Sequence, residues 1–109
     1  MEFNKYQELA GRTIANKHKG AMELHALHGL VGEIGELHSL YQKNFQGHHF
    51  DVEHAKKALG DLLWFVAEYC TAMDWNMSDV AKLNIEKLMK RFPDGFEAER
   101  SLNRQAGDI

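Results

Sequence analysis

A single proline, Pro93, stands in this chain of 109 residues, and it does so close to the last few turns of sequence. Proline lacks an amide hydrogen and clashes with the preceding turn, so it breaks helix interiors. Everything before Pro93 is therefore free to form long helices. No run alternates apolar and polar residues as a half-buried strand would; apolar residues recur at three- and four-residue spacing instead. That spacing predicts a first helix over about Asn4–Asn16 and a loop at His18–Gly20. It predicts a second helix over about Met22–Phe45, with Leu24, Leu27, Val31, Ile34, Leu37 and Tyr41 as its apolar stripe. Gly47-His48-His49 ends it, and Asp51 is suited to cap a third helix over about Val52–Met73. Ala55, Leu59, Leu62, Val66, Cys70 and Met73 share one stripe of that helix. A fourth helix opens with Ser78 as cap and stops before Pro93; Pro93-Asp94-Gly95 is a turn signal, and Glu97 to Arg104 forms a short further helix. The expected fold is all-α, with a four-helix-bundle core in one domain spanning 1–109.

Composition narrows the function classes. The formal net charge is −3, whereas phosphate-backbone binding wants a basic face, so nucleic acid is not the expected partner. One cysteine, Cys70, allows no intrachain disulfide, and with no apolar leader in Met1–Tyr6 a cytoplasmic location is expected. Leu59–Cys70 is the most apolar stretch, but Asp61 and Glu68 interrupt it and it is too short to span a bilayer, so no membrane partner is expected. Within it, Leu62–Ala67 is apolar all the way round, a pattern that demands cover on every side. A few short helices cannot easily supply that cover, which predicts a partner chain at or beside this segment.

Two acidic groups stand out. Glu33 and Glu36 lie three apart in Gly32-Glu33-Ile34-Gly35-Glu36, on one face of the second helix. Their repulsion costs the helix roughly a few tenths of a kcal/mol, and each interior glycine costs about 1 kcal/mol relative to alanine. A divalent cation between the carboxylates, and a second helix packed close on the glycines, would account for both; a solvated acidic face is the plainer alternative. Asp61 is set between Leu59 and Leu62-Leu63, where an unpaired carboxylate is expensive. It either binds metal or pairs with Lys57, one turn earlier. Oxygen ligands from two helices suit magnesium or manganese rather than zinc. Of the seven histidines, His25 and His28 share a face, but no Glu-x-x-His occurs, so a di-iron site of the ferritin type is not expected. Cys70 reads as a small buried hydrophobe.

Three segments in order resemble a known family. Gly29-Leu30-Val31-Gly32-Glu33-Ile34-Gly35-Glu36-Leu37 is similar to the Glu-x-x-Glu helix of MazG-like nucleoside triphosphate pyrophosphohydrolases, all-α relatives of dimeric dUTPases. Leu59-Gly60-Asp61-Leu62-Leu63-Trp64-Phe65 resembles the family's second motif, Glu-x-x-Asp followed by an apolar helix. Asn84-Ile85-Glu86-Lys87-Leu88, then Arg91 to Phe96 and Ser101-Leu102-Asn103-Arg104, are similar to its closing signature. The resemblance runs from Tyr6 to Arg104.

That resemblance implies hydrolysis of a nucleoside triphosphate, a deoxynucleotide or a modified one, to the monophosphate and pyrophosphate in an oligomer, dimer or tetramer. It implies Glu33, Glu36 and Asp61 as ligands of Mg2+ or Mn2+, with Glu33 also orienting or deprotonating the water. Asn84, Lys87, Arg91 and Arg104 would face phosphates, and His25 would lie near the base. One position departs from the family: the glutamate that opens the second motif is Ala58 here, either a natural change or an introduced substitution. Losing only a group that supports a metal ligand costs roughly 10–100-fold in affinity or activity, so losing a ligand itself costs at least as much. His54 and Glu53, about 10–12 Å from Asp61 along the helix axis, lie too far away to substitute for a carboxylate at position 58. A catalytically weakened nucleotide-binding or regulatory homologue is therefore the second reading, and a purely structural helical dimer the third.

Overall fold

The computed structural model describes every residue, Met1–Ile109, as five helices: α1 (Phe3–Gly11), α2 (Lys19–Phe45), α3 (Val52–Ala72), α4 (Met77–Arg91) and α5 (Ala98–Leu102). The only β contact is an isolated bridge between Pro93 and Gly95, at the predicted turn. The chain divides into two compact units, Met1–Met77 and Ser78–Ile109.

In the first unit α2 and α3 form a hairpin, and α1 lies against α3. α1 is shorter than its apolar spacing predicts. Thr13 Oγ1 bonds back to the Ala10 carbonyl at 2.9 Å, the competition with helix bonding that hydroxyl side chains offer. The chain then turns so that Ile14 is buried with Met22 and Ala72. Conversely α2 starts earlier than expected. His18 is the extended residue before it, held by a bond from its amide to Asn16 Oδ1 at 3.0 Å, so Lys19 and Gly20 are already helical. Asp51 caps α3 as its sequence suggests, accepting from the His54 amide at 3.0 Å. Ser78 does not cap α4, because the helix begins one residue earlier. There Gln7 Oε1 accepts from the Met77 amide at 2.7 Å, while Gln7 Nε2 donates to the Trp75 carbonyl at 2.8 Å.

The face that α2 turns inward is not the one its sequence suggests. Met22, Ala26 and Leu40 are buried, and Gly29, Leu30, Glu33 and Leu37 continue their stripe. Of the predicted stripe only Leu37 is covered. Leu24, Leu27, Val31, Ile34 and Tyr41 are exposed, Val31 by 73%. α2 thus carries two apolar stripes, and the more hydrophobic one is open. α3 resolves its all-round apolar middle within one chain to a large extent. Ala67 and Cys70 face Ala10 and Met77, Trp64 covers both small core clusters, and only Leu63 of Leu62–Ala67 is exposed.

Two helices can approach this closely because of one glycine. The Phe65 ring lies on Gly29, where a Cβ would overlap it. Gly32 and Gly35, the glycines expected to admit a neighbouring helix, face open space within the chain. Gly29→Ala should therefore destabilise the protein by roughly 1–3 kcal/mol through overpacking. Gly60→Ala, in the open middle of α3, should gain up to about 1 kcal/mol from helix propensity. Urea unfolding of the two variants checks this; equal effects would remove the special role of Gly29.

Candidate active site

The antiparallel register of α2 and α3 decides which polar groups meet. Glu36 is opposite His54, Gly29 opposite Phe65 and His25 opposite Glu68. Glu33 and Asp61 fall between these pairs, one on each helix. Glu33 sits on the inward stripe of α2 and is half-buried. Its carboxyl is pushed above the usual range, first by desolvation, then by the charges of Asp61 and Glu36, with His54 opposing. The three sequence-predicted acidic residues are therefore electrostatic neighbours. They do not converge as placed: no group of three histidine, cysteine, aspartate or glutamate side chains gathers at ligating distance. Glu36 instead reaches His54 Nε2 with its Oε1 at 2.9 Å. Asp61 is exposed and forms no ion pair with Lys57. It lies close enough to Tyr6 of α1 to raise the phenol's pKa, after desolvation, and Tyr6 donates a long bond to the Gly60 carbonyl at 3.4 Å.

Ala58, where the family motif carries a glutamate, is only 3% exposed. A longer side chain there has to travel out of a covered position before its carboxylate can reach the others.

His25 is tied down. Its Nδ1 lies 2.8 and 2.9 Å from the two oxygens of Glu68, which is buried at 2% exposure and is the only buried charged residue in the chain. The Trp64 and Phe65 rings meet the imidazole edge-on, with centroids 5.9 and 5.5 Å away. Trp64 in turn donates from Nε1 to Thr13 Oγ1 at 2.8 Å. With Nδ1–H given to the carboxylate, the neutral ring presents Nε2 as an acceptor.

Sequence reasoning missed Glu68, His54 and Asp108. The signal for Glu68 was available: it interrupts the same apolar stretch as Asp61, and a buried carboxylate needs a partner. His54 is far from Asp61 along its own helix, but that separation says nothing about Glu36, which it meets across the antiparallel hairpin.

In the second unit, Asn84, Lys87, Arg91 and Arg104 line one open groove of about 1150 Å³. Arg91, the last residue of α4, grips Asp108 in a two-point ion pair, Nη2 to Oδ1 at 2.6 Å and Nε to Oδ2 at 2.8 Å. That hydrogen bonding holds the Asp108 carboxyl below the usual range, helped by the charges of Arg91, Arg104 and Lys87.

A helical hairpin that carries acidic residues on both helices, and a following helix that carries asparagine, lysine and arginine, place the chain among all-α proteins. The chain belongs to the family of the MazG nucleotide pyrophosphohydrolase domain, whose model matches residues 22–96, about two-thirds of its length. Nucleotide pyrophosphohydrolysis is the activity class of that family. Glu33, Glu36, Ala58, Asp61, Asn84, Lys87 and Arg91 fall inside the match; Arg104 falls beyond it. Comparison with curated proteins and with solved structures returns no match. No helix is long and apolar enough to cross a membrane.

The raised Glu33 carboxyl has a sign that can be tested. A carboxyl with a higher pKa in the native state favours folding while protonated; that contribution is complete below the unfolded pKa and is lost as pH rises through the native one. In metal-free protein at neutral pH, Glu33→Gln should thus raise the melting temperature. The gain should vanish towards roughly pH 4, the ordinary carboxylate range. A variant that melts lower than the parent at neutral pH, in the presence of EDTA, would contradict the repulsive cluster.

Proposed function

We propose that the protein hydrolyses a nucleoside triphosphate to the monophosphate and pyrophosphate, on Mg2+ or Mn2+ held by Glu33, Glu36 and Asp61. The observation that carries this reading is the match to the MazG nucleotide pyrophosphohydrolase domain over residues 22–96, within which the α2–α3 hairpin brings Glu33 near the charges of Asp61 and Glu36. Acidic oxygen donors that repel one another in a half-covered site fit a hard divalent cation, which would neutralise phosphate charge and supply an acidified water. Glu33 is the residue whose surroundings keep a proton affinity above that of a free glutamate, which suits it to orient the water and take its proton. Glu36, now in contact with His54 Nε2 at 2.9 Å, would have to give up that contact to serve as a ligand. Asn84, Lys87, Arg91 and Arg104 bind phosphate oxygens and offset the charge that accumulates on the departing pyrophosphate. His25, fixed by Glu68, offers Nε2 to a hydrogen-bond donor on the base.

The second reading is a homologue that binds nucleotides and turns them over weakly. Ala58 favours it, since a ligand position is apolar and covered. Pyrophosphate release from a panel of ordinary and modified deoxynucleoside triphosphates, with and without magnesium, separates the two. Metal-dependent release is expected, falling roughly 10²–10⁴-fold in Glu33→Gln. Ala58→Glu should raise it by about an order of magnitude while lowering the metal-free melting temperature, because the new carboxylate has to leave a packed position. A glutamate variant that binds metal more tightly yet acts on no nucleotide would favour the binding reading.

A homo-oligomer, dimer or tetramer, accompanies the proposal. Its support is the open stripe of Leu24, Leu27, Val31, Ile34 and Tyr41 on α2, at the alternating three- and four-residue spacing of helices that pack along their length. The expected contact moves accordingly from Leu62–Ala67 towards α2. Light scattering should give at least a dimer at micromolar concentration, and Val31→Lys should shift it towards monomer. A parent protein that runs as a stable monomer would end this part of the proposal.

A further inference from the structure

The cations of the second unit already hold an anion, and it belongs to the chain itself. Arg91 is an unusual arginine for a surface helix, with its side chain only 8% exposed. Asp108 is 17% exposed. Both oxygens of Asp108 are engaged by the planar guanidinium. This fork recognises carboxylate and phosphate alike, because both present two oxygens at matching spacing. The guanidinium is also held from the side by the Phe92 ring, whose centroid is 5.8 Å away.

The segment after α5 is shaped to make this contact. Gly107 adopts a positive φ of 86°, a conformation that other residues take only with strain. The Asp108 amide bonds back to the Gln105 carbonyl at 3.1 Å, which closes a turn and aims the carboxylate at α4. Lys87 and Arg104 lie near enough to act on the same carboxylate. The groove that holds Asn84, Lys87, Arg91 and Arg104 is thus the one that Asp108 enters.

We propose that Asp108 is a built-in competitor for phosphate: its carboxylate occupies the fork of Arg91 and must be displaced before a phosphate group can be seated there. This rests on the reading of Arg91 as a phosphate-binding residue. It adds an autoinhibitory contact to that site. A ligand that binds only the open fork has its apparent affinity reduced by the fraction of molecules in which the fork is open. Removing the carboxylate abolishes that handicap without touching the cations. The charge of Asp108 also weakens the local field that draws a polyanion, so both effects of removing it act in one direction.

The test is a calorimetric titration of inorganic tripolyphosphate into the parent, Asp108→Asn, Gly107→Ala and Arg91→Gln, with EDTA present so that the carboxylates of α2 and α3 hold no metal. Asp108→Asn should bind roughly three- to tenfold more tightly than the parent, the scale of one ion pair released. Gly107→Ala, which strains the turn and keeps the charge, should move affinity the same way by less. Arg91→Gln should lose most of the binding and should remain weak when combined with Asp108→Asn. Unchanged or weaker binding by Asp108→Asn overturns the proposal, as does absence of binding by every form. An Asp108→Asn protein that fails to fold also overturns it, since the contact is then structural. A parallel hydrolysis assay keeps the two ideas apart. Pyrophosphate release by the parent with no fall in KM for Asp108→Asn leaves the enzyme reading standing and removes the competitor. Tighter tripolyphosphate binding by Asp108→Asn, with no hydrolysis by any form, does the reverse.

Discussion

The close approach of α2 to α3, made where the Phe65 ring lies on Gly29, sets the position of every functional group in the first unit. One residue of a different size there would separate the two helices or slide one along the other. The polar pairs on either side depend on that register. His25 meets Glu68 on one side, and Glu36 meets His54 on the other. Between them the same register leaves Glu33 facing the charge of Asp61. Van der Waals packing at one small residue thus decides an electrostatic arrangement several turns long, because rigid helices carry a local fit along their whole length.

The interface treats two of its acids, buried Glu68 and half-buried Glu33, in opposite ways. Glu68 is given a partner: both oxygens face His25 Nδ1, and no buried side-chain polar atom in the chain is left unsatisfied. Removing His25 would leave the covered Glu68 carboxyl without that partner. Glu33 is given neighbours of its own sign. Natural sequences usually break local consistency where function requires it. The contrast between a satisfied acid and a stressed one, both on the same pair of helices, is what distinguishes a structural carboxylate from a candidate catalytic one here.

Much of this was legible in the sequence, and the limits have physical causes. The helices, the Asp51 cap and the turn at Pro93 follow from local rules acting over a few residues. The inward face of α2 does not. Its sequence places larger apolar side chains on the stripe of Leu24, Val31 and Ile34 than on the stripe of Ala26 and Gly29, so hydrophobicity alone selects the wrong side. Helices that pack closely favour small residues at the contact, and smallness is a weak signal in a periodicity analysis. The acidic residues were legible as candidates because charge in an apolar context is conspicuous. The partners of Glu36, His25 and Arg91 were not, since His54, Glu68 and Asp108 lie 18, 43 and 17 positions from them.

Ala58 has the most consequence for how the acidic site behaves. A glutamate at that position would add a fourth negative charge to a site in which Glu33 already resists ionisation. Without a cation, such a site stores repulsion that opposes folding; with one, the same charges become ligands. Alanine removes one contribution to both states. The metal-free hairpin then carries less repulsion, and Glu36 keeps its contact with His54 Nε2 at its outer end. On the proposed metal-binding reading, the cost would fall on affinity for the cation, which would lose a donor and compete with the Glu36–His54 contact. Stability without metal and strength of metal binding would then oppose each other, with position 58 bearing on the balance.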